Sequence, residues 1–263
     1  MKNVLITGAY GGMGRAMTEQ LIAQGFRVFA LDKVVGEPSE NVIPIEADIT
    51  LQEDINSAFE KVCEYTDNLY AIVHFAGIYM LDSLAEMETD SFDSILGVNF
   101  RGAFLVNKIF FPLFKTGSRI VITTSELATL DPLPFTGIYA VTKSALDKYA
   151  YSLSMELQLL GIKVSVLRAG AVKTEMLGVS TNALDRFCNT TTLYSCNAKR
   201  FKNIVNRVEA RNVKPIKIAK KVMKILKKQN PAFSYSINRN PLLVLLSILP
   251  ERLQLRIIKI ILK

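Results

Sequence analysis

Short apolar runs rich in β-branched residues alternate with amphipathic segments of helical length along most of this chain. The runs cover residues 4–7, 28–31, 71–75, 120–123 and 164–167. A strand that is buried on both faces has no polar side, so it reads as a continuous apolar run, and such strands alternating with helices are typical of βαβ units. The pattern therefore predicts an α/β fold with a doubly wound parallel sheet and helices on both of its faces.

We expect one domain rather than two. No internal repeat, low-complexity tract or linker divides the sequence before about residue 175, and 49% of the 263 residues are apolar, which is enough for a substantial core. The domain is expected to cover residues 1–230. Within it, residues 172–213 lose the regular period but keep many apolar residues, including Met176 and Leu177, and are interpreted as an insertion. Residues 231–263 are interpreted as a C-terminal tail.

The positive charge is concentrated near the C-terminus. The net charge is +8, and residues 197–263 contain 17 of the 32 Lys and Arg residues but only 2 of the 24 acidic ones. A basic segment of this kind binds nucleic acid, lies on an anionic membrane surface or simply faces water. No nucleic-acid-binding motif accompanies the charge, so we expect no nucleic-acid partner.

The tail combines this charge with a strongly apolar stretch. Residues 242–249 are almost wholly apolar, but eight residues are too few to span a bilayer. A helix over residues 251–263 would carry its cations on one side and its apolar residues on the other; the cations are Arg252, Arg256, Lys259 and Lys263. Such an interfacial helix lies on a membrane with its cations toward anionic head groups. Covering a pocket or packing on a second subunit would use the same apolar side, so both alternatives stay open.

The cysteines and the start of the sequence predict a reducing compartment. Cys63, Cys188 and Cys196 are odd in number and lack the spacing of metal ligands, so we expect free thiols and no metal site. No charged leader and apolar stretch precede the first predicted strand, so no signal peptide is expected. These features predict a cytoplasmic protein, peripheral on the inner face of a membrane if the tail helix is interfacial.

A glycine-rich stretch directly follows the first predicted strand and opens a helix near Arg15; it reads Thr7-Gly8-Ala9-Tyr10-Gly11-Gly12-Met13-Gly14. Glycines in this position let the backbone turn tightly and approach a pyrophosphate, which then lies on the amides of the helix N-terminus. An ordinary strand-to-helix turn is the alternative, but the position after strand 1 favours dinucleotide binding. The residues expected to contact the cofactor here are Gly8, Tyr10, Gly12, Met13 and Gly14.

An acidic residue at the end of the second predicted strand favours NAD over NADP. Asp32 lies 24 residues after Gly8, where a carboxylate accepts hydrogen bonds from the adenosine ribose and repels a 2′-phosphate. Lys33, next to it, would attract that phosphate and soften the preference. Asp48 and Ile49 end the short third strand in a place suited to the adenine.

Tyr139 and Lys143 place a phenol and an ammonium four residues apart in a segment with a helical pattern, so the two side chains share one helix face. The pKa of a free tyrosine is about 10, and a nearby cation favours the phenolate and lowers that pKa. The pair therefore predicts a proton-transfer site. An ordinary surface pair is the alternative, because this spacing arises by chance in many helices.

Taken together, these motifs make the chain resemble the short-chain dehydrogenase/reductase superfamily over roughly residues 3–230. The glycine stretch fits the family's T-G-x-x-x-G-x-G, and Asp48 fits its aspartate after strand 3. The remaining matches are Ala76-Gly77 to the end of N-N-A-G, Asn99 to the helix asparagine, Tyr139 with Lys143 to the catalytic pair, and Thr174 to the last residue of P-G-x-x-x-T. Residues 133–135 also look like the hydroxysteroid and retinol dehydrogenase branch.

The resemblance implies a Rossmann-like fold and hydride transfer between a nicotinamide and a carbonyl or secondary alcohol. Tyr139 would exchange the proton, Lys143 would lower its pKa and hold the nicotinamide ribose, and Ser125 would steady the substrate oxygen. Asn99 would hold a water that connects Lys143 to solvent. Further cofactor contacts would come from Asp48, Ile49, Ala76, Gly77, Val172 and Thr174. A homo-dimer or homo-tetramer is the family expectation.

The sequence departs from the family pattern around the expected serine. Ser125 lies 14 residues before Tyr139, where the family usually has 13, and Glu126 occupies the usual position. A carboxylate there would repel a developing oxyanion, so we expect a loop one residue longer with Ser125 still catalytic. His74-Phe75 replaces Asn-Asn, and His74 is interpreted as a hydrogen bonder at a strand end. Ala169 stands where the family has proline.

The apolar character of residues 172–213 favours a lipophilic substrate such as a steroid, a retinoid or a long acyl chain, covered by the insertion. The alternative is that these apolar residues simply pack the insertion onto the domain. The leading hypothesis is an NAD-dependent oxidoreductase that interconverts a secondary alcohol and a ketone, and NADP is the less favoured cofactor. A 3-oxoacyl or sphingoid ketone reductase is one alternative. A non-catalytic dinucleotide sensor or membrane-associated scaffold is another.

Overall fold

A computed structural model of the chain describes residues 1–209 and 211–263, with side chains described outside residues 175–182 and 206–209. Its centre is a parallel sheet of seven strands in the order β3-β2-β1-β4-β5-β6-β7. The strands are β1 (Lys2–Thr7), β2 (Phe26–Asp32), β3 (Val42–Glu46), β4 (Leu69–His74), β5 (Phe114–Ser125), β6 (Lys163–Ala169) and β7 (Ser234–Ile237). The predicted doubly wound parallel sheet in a single domain is confirmed.

Helices cover both faces of the sheet and extend beyond it. They are α1 (Gly12–Ile22), α2 (Gln52–Cys63), α3 (Thr89–Leu96), α4 (Gly102–Phe110), α5 (Gly137–Leu157), α6 (Glu175–Thr190), α7 (Ser195–Glu209), α8 (Pro215–Lys227), α9 (Pro241–Ile248) and α10 (Glu251–Leu262). On one face α2, α4 and α5 bury residues such as Ile55, Val106 and Leu146. On the other, α1 and α8 bury Met17 and Val222 among others. Burial on both sides explains why the strand sequences are continuous apolar runs.

The strand order reverses between β1 and β4. In an open parallel sheet, such a reversal leaves a crevice at the carboxyl ends of the strands, and ligands bind there. Thr7 and His74 are the last residues of β1 and β4, and they are paired in the sheet. The glycine stretch and residues 75–78 follow these two strand ends directly and therefore lie at the crevice.

The segment expected as a tail begins inside the sheet. β7 pairs in parallel with β6, with Ser234 opposite Val166 and Ile237 opposite Ala169. Beyond it, α10 packs on α7, and Asn197 Nδ2 donates a hydrogen bond of 2.7 Å to the carbonyl of Leu262. Among the helices that the structure describes, none is both long enough and apolar enough to cross a membrane.

A third apolar cluster joins α6, α7 and α10 to the loops that follow β4 and β5. Phe135 lies at its centre, with its ring centroid 4.5 Å from that of Phe187 and 5.3 Å from that of Phe201. Leu262 of α10 is buried in the same cluster. This cluster holds the insertion and the C-terminal helix over the carboxyl end of the sheet.

Candidate active site

The glycine stretch makes a tightly packed cradle that has no room for side chains at two positions. Gly8 has a φ of +68°, and a Cβ added there would lie 2.6 Å from the backbone nitrogen of Ala76. A Cβ at Gly14 would lie 2.1 Å from the carbonyl oxygen of Gly8. Both contacts are shorter than non-bonded atoms allow, so only glycine permits this close packing of the β1–α1 turn. The predicted helix starts at Gly12, three residues earlier than expected, which places its first amides at the crevice.

A cleft of about 370 Å³ runs from this cradle along the ends of β1, β2 and β4. Most of the residues expected to bind a cofactor line it: Gly8, Gly12, Met13, Gly14, Asp32, Asp48, Ile49, Ala76, Gly77 and Thr174. The cleft follows the path expected for a dinucleotide. Tyr10 is not among its lining residues, because its ring packs against Gly36 and the apolar face of the sheet.

The far end of the cleft is acidic. Asp32 Oδ2 accepts a hydrogen bond of 2.9 Å from the backbone N–H of Tyr10, and Asp32 Oδ1 accepts one of 2.8 Å from the backbone N–H of Lys33. Lys33 Nζ lies 2.7 Å from Asp48 Oδ2. Partial burial acts against the Asp48 carboxylate, but hydrogen bonds from Lys33 and Thr50 outweigh it and lower its pKa. The ammonium of Lys33 is therefore already paired with a carboxylate.

Tyr139 and Ser125 meet next to the cleft, in a cavity that shares Gly77, Ile78 and Thr174 with it. Ser125 is the last residue of β5, and Tyr139 lies in the first turn of α5. The two side chains are neighbours, close enough for Ser125 to act on the pKa of the phenol. The Ser125 oxygen also accepts a bond of 3.2 Å from the N–H of Leu127 at the start of a short 3₁₀ turn, residues Glu126–Ala128. The structure thus brings Ser125, the serine chosen from the sequence, to the phenol.

The pKa of Tyr139 lies in the opposite direction from the expectation. Burial disfavours the phenolate and raises the pKa to about 12, the hydrogen bond from Ser125 acts to lower it, and the charge of Glu126 raises it further. Lys143 is not among the groups that shift this pKa, so its expected effect on Tyr139 stays a prediction. Lys143 Nζ lies 5.7 Å from the ring centroid, and burial lowers its own pKa to about 8. The spacing of Tyr139 and Lys143 can be read from the sequence, but the burial of both side chains cannot.

Asn99 reaches the same place through a local irregularity. Residues Gly97–Arg101 form one π-helical turn between α3 and α4, and such turns are frequent at functional sites. Asn99 Oδ1 accepts a bond of 2.8 Å from Ile78 N, while its Nδ2 donates to Ile78 O and to Thr142 Oγ1. A Cβ at Gly77 would be 3.1 Å from Lys143 Nζ and 3.2 Å from Asn99 Oδ1, so this glycine sits between the two polar groups.

His74 ends β4 and is fully buried. Its Nε2 lies 2.9 Å from Asn107 Oδ1 and its Nδ1 lies 3.4 Å from Thr7 Oγ1. Burial lowers its pKa to about 4, so the ring is neutral, and Nε2 donates while Nδ1 accepts. This arrangement agrees with the interpretation of His74 as a hydrogen bonder at a strand end.

A second, mostly apolar cavity of about 170 Å³ adjoins Tyr139, Ser125 and Lys143. Its walls include residues that the sequence singled out, Val172, Thr174 and Leu133, and others that it missed: Ile78, Tyr79, Leu127, Val205 and Leu243. Tyr79 stacks on Tyr139 with ring centroids 4.9 Å apart. No sequence signal marks these wall residues, because they come from loops and from α7 and α9. The side chains of Met176 and Leu177 lie outside those that the structure describes.

Glu86 fixes the insertion over the crevice. Its carboxylate accepts hydrogen bonds from Thr191 Oγ1, from the N–H and Oγ1 of Thr192 and from Leu193 N, at 2.6 to 3.1 Å. These bonds lower its pKa to about 2. Within the described ranges, no group of three or more His, Cys, Asp or Glu residues is arranged to hold a metal ion.

Comparisons with known proteins agree with this geometry. A family model described as short chain dehydrogenase matches residues 2–185. Estradiol 17-beta-dehydrogenase 2 of Mus musculus is 33% identical over 189 residues, which cover 67% of this chain and 50% of that protein. The chain thus spans about half the length of this relative.

Two solved structures show the same fold. The 3-ketoacyl-(acyl-carrier-protein) reductase of Brucella melitensis, complexed with NADH, has a TM-score of 0.73 and 22% identity, covering 90% of this chain and 96% of that one. A short chain dehydrogenase of Burkholderia cenocepacia, in complex with NADP, has a TM-score of 0.74 and 18% identity, covering 98% of both chains. One neighbour holds NADH and the other NADP.

Proposed function

The chain belongs to the short-chain dehydrogenase family, and from that premise we propose that it is an NAD-dependent oxidoreductase that interconverts a secondary alcohol and a ketone on a lipophilic substrate. One observation carries the proposal: Tyr139 and Ser125 lie together in an apolar cavity at its junction with the glycine-lined cleft, where Gly77 and Thr174 line both. Lys143 and Asn99 flank the same junction through Gly77.

The residues of the cleft fit a nicotinamide dinucleotide. Gly8, Gly12 and Gly14 line the cleft at the start of α1, where the first helix amides suit a pyrophosphate, and Asp32 suits the adenosine ribose. Val172, Thr174 and Lys143 lie near the other end. When bound, the dinucleotide supplies or accepts the hydride.

The chain's own groups manage the proton. With a pKa of about 12, Tyr139 is a neutral phenol at physiological pH and donates its proton to a carbonyl oxygen. Ser125 hydrogen-bonds the same oxygen and holds it toward the phenol. Lys143, the cation nearest the ring in the described active site, stabilises the phenolate that forms and binds the nicotinamide ribose. In the oxidative direction the same groups act in reverse.

The acidic end of the cleft supports NAD rather than NADP. Asp32 is held in place by two backbone N–H groups, so it cannot turn away from a ligand without losing both bonds. Lys33, which would favour a 2′-phosphate, is paired with Asp48 instead. A phosphate at this end would face two carboxylates and one already neutralised ammonium.

A lipophilic substrate fits the cavity. Apart from Tyr79, Glu126, Tyr139 and Lys143, its lining residues carry no ionisable side chain. Val205 of α7 and Leu243 of α9 supply apolar walls. Steroid, retinoid and long acyl ketones share this character, and the site discriminates among them through its walls rather than through its reacting groups.

The test is NADH consumption with a panel of ketosteroids, retinal, medium-chain ketones and β-keto thioesters. We expect turnover on at least one apolar ketone, with NADH preferred over NADPH. Tight NADH binding without turnover on any member would contradict the oxidoreductase assignment and favour a dinucleotide sensor.

The C-terminal helices support a further proposal, contact with an anionic membrane. On α9, Leu245 is 60% exposed, and on α10, Ile260 is 78% exposed. Leu242, Ile248, Leu253 and Ile261 are also exposed, beside the cations Arg252, Arg256, Lys259 and Lys263. The opposite side of α10, with Ile258 and Leu262, packs on the protein. An apolar stripe next to a row of cations suits the surface of an anionic bilayer.

Pelleting with vesicles of phosphatidylcholine and phosphatidylserine tests this contact. The double variant Leu245→Glu/Ile260→Glu should lose binding, and the control Leu159→Glu, which changes an exposed leucine near the amino end of β6, should keep it. Equal pelleting of both variants would contradict the membrane proposal.

A homo-oligomer is proposed on separate grounds. Large apolar side chains are exposed along α4 and α5 and directly after α4, namely Phe104, Phe111, Val141, Tyr151 and Met155. Their burial between two copies would remove this surface from water. Sedimentation velocity should show a dimer or tetramer that Phe104→Glu weakens, and a monomer at micromolar concentration would contradict it.

A further inference from the structure

Glu126 is a buried carboxylate in the wall of the substrate cavity. It directly follows Ser125, is only 7% exposed, and is among the residues that line the cavity. Its Oε2 accepts a hydrogen bond of 2.6 Å from the backbone N–H of Asn240, which caps α9 through its own side chain. Its second oxygen, Oε1, has no hydrogen-bond donor among the residues that the structure describes.

Oε1 lies beside Gly170. Gly170, another cavity-lining residue, has no side chain, and a Cβ there would come within 3.1 Å of Oε1 and 2.0 Å of the Asn238 carbonyl. Because Asn240 holds Oε2, the carboxylate cannot rotate away without breaking that bond. Leu243, three residues after Asn240, forms part of the same cavity wall. Glu126 is therefore a fixed acceptor in the wall of the cavity.

An acceptor of this kind can take a donor from a ligand. A carboxylate oxygen in a largely apolar wall is poorly hydrated, and a ligand that supplies a hydrogen-bond donor favours its charged form. Burial raises the pKa of Glu126, while the bond from Asn240 and the charge of Arg239 act to lower it. The charged and titratable groups nearest to it are Arg239, Tyr139 and Lys143.

We propose that Glu126 determines substrate specificity, and that its Oε1 accepts a hydrogen bond from a hydroxyl group that the substrate carries close to the reacting carbon. The proposal rests on the proposed function of this site. The position next to Ser125, which holds the reacting oxygen, places the second contact within a few atoms of it. The substrate class is then a lipophilic hydroxy ketone, or the corresponding diol in the oxidative direction.

A hydroxyl fits this site better than an ammonium group or an acid. Arg239 near Glu126 and Lys143 in the cavity wall already supply positive charge, so a substrate cation would be repelled. A substrate carboxylate would meet the charge of Glu126 itself. The remaining walls are largely apolar and suit an uncharged ligand.

Binding of unreactive ligands tests the proposal without relying on turnover. The probes are N,N-dimethyloctanamide and its 2-hydroxy and 3-hydroxy derivatives, because a tertiary amide has a carbonyl oxygen but no N–H donor and is not reduced by NADH. Titration calorimetry on the NADH-saturated protein gives their Kd values. One hydroxy derivative should bind the wild type about 10- to 100-fold more tightly than the parent amide, the range typical of a hydrogen bond to a charged group.

Two variants and a control locate the effect. Glu126→Gln keeps an oxygen for Asn240 but puts an amide NH₂ in place of Oε1, so the preference should fall to about threefold or less. Glu126→Ala should also lose it, and Glu64→Gln, at the exposed end of α2, should keep it. The wild-type comparison decides the matter even if Glu126→Ala does not fold.

Equal binding of the three amides to the wild type would overturn the proposal, as would a preference that survives in Glu126→Gln or no binding of any amide. Turnover of 2-decanone and its hydroxy derivatives is measured in parallel. Hydroxyl preference in binding without turnover of any ketone would contradict the proposed oxidoreductase and support the role of Glu126. Turnover of a ketone without a hydroxyl preference in binding would support the oxidoreductase and contradict the role of Glu126.

Discussion

A buried ion pair ties the catalytic helix to the sheet, and its removal should have an asymmetric cost. Asp147 of α5 accepts bonds from Arg168 Nε at 2.9 Å and NH2 at 2.7 Å, and from Thr124 Oγ1 at 3.1 Å. The Asp147 side chain is 9% exposed and that of Arg168 is 21% exposed. The carboxylate is thus the more deeply buried partner and depends more on the pair.

The structure sets the expected magnitudes. Arg168→Met leaves a buried carboxylate with one hydroxyl donor, and removing one partner of such a pair costs about 3–5 kcal/mol of unfolding free energy. Asp147→Asn keeps the bond to Thr124 and leaves a guanidinium that reaches water, so its cost should be about 1–2 kcal/mol. The double variant leaves no unpaired charge in the interior. It should be more stable than Arg168→Met alone.

Urea unfolding followed by circular dichroism gives the three free energies. Lys33→Met is the matched control, since it breaks an ion pair whose lysine is 67% exposed, and such pairs contribute about 0–1 kcal/mol. Two results would refute the reasoning that the pair is buried and mutually dependent: a loss of unfolding free energy below about 1 kcal/mol in Arg168→Met, or a double variant that is less stable than Arg168→Met.

Three further predictions concern charge. The pKa of Glu86 is lowered from 4.5 to about 2, so its contribution to the stability of the fold is complete above pH 4.5 and is lost as the pH falls toward 2. The midpoints of urea unfolding across this pH range should therefore fall more steeply in the wild type than in Glu86→Gln. Parallel curves for the two proteins would refute this. Burial lowers the pKa of Lys143 to about 8, so its ammonium loses its charge between pH 7 and 9. The Kd of NADH, followed by fluorescence, should therefore rise over this range in the wild type and stay constant in Lys143→Met. A constant Kd in the wild type would contradict the role of the ammonium. Asp32→Ala should raise the NADPH-to-NADH ratio of kcat/KM about fivefold or more, since like charges in contact repel by about 1 kcal/mol even in water; an unchanged ratio would mean that another group sets the preference.

The strands that apolar runs predicted are those buried on both faces, and the expected third strand, β3, ends at Glu46, before Asp48 and Ile49. The five apolar runs fall on β1, β2, β4, β5 and β6, and only Phe75 lies outside its strand. β7 was missed because Ser234–Ile237 is a short edge strand that alternates exposed and half-buried residues. A strand with one exposed face has no continuous apolar run to mark it.

Local motifs predicted the glycine cradle, Asp32 and the Tyr139–Lys143 pair, because each depends on neighbours within one strand-turn-helix unit. Contacts between distant parts of the chain could not be predicted in this way. Glu126 and Asn240 are 114 residues apart, and Glu86 and Thr191 are 105 residues apart. The pKa of Tyr139 also depends on burial by such distant segments, which explains why its direction was missed.

The central claim is that Tyr139 donates the proton in a reaction on a ketone, and one variant tests it most directly. On the best substrate of the panel, Tyr139→Phe should lower kcat by about 10²- to 10⁴-fold, the usual contribution of a general acid. The NADH Kd should change by no more than about twofold, because Phe keeps the ring that packs on Tyr79 and removes only the hydroxyl. A kcat within about threefold of the wild type would contradict the account.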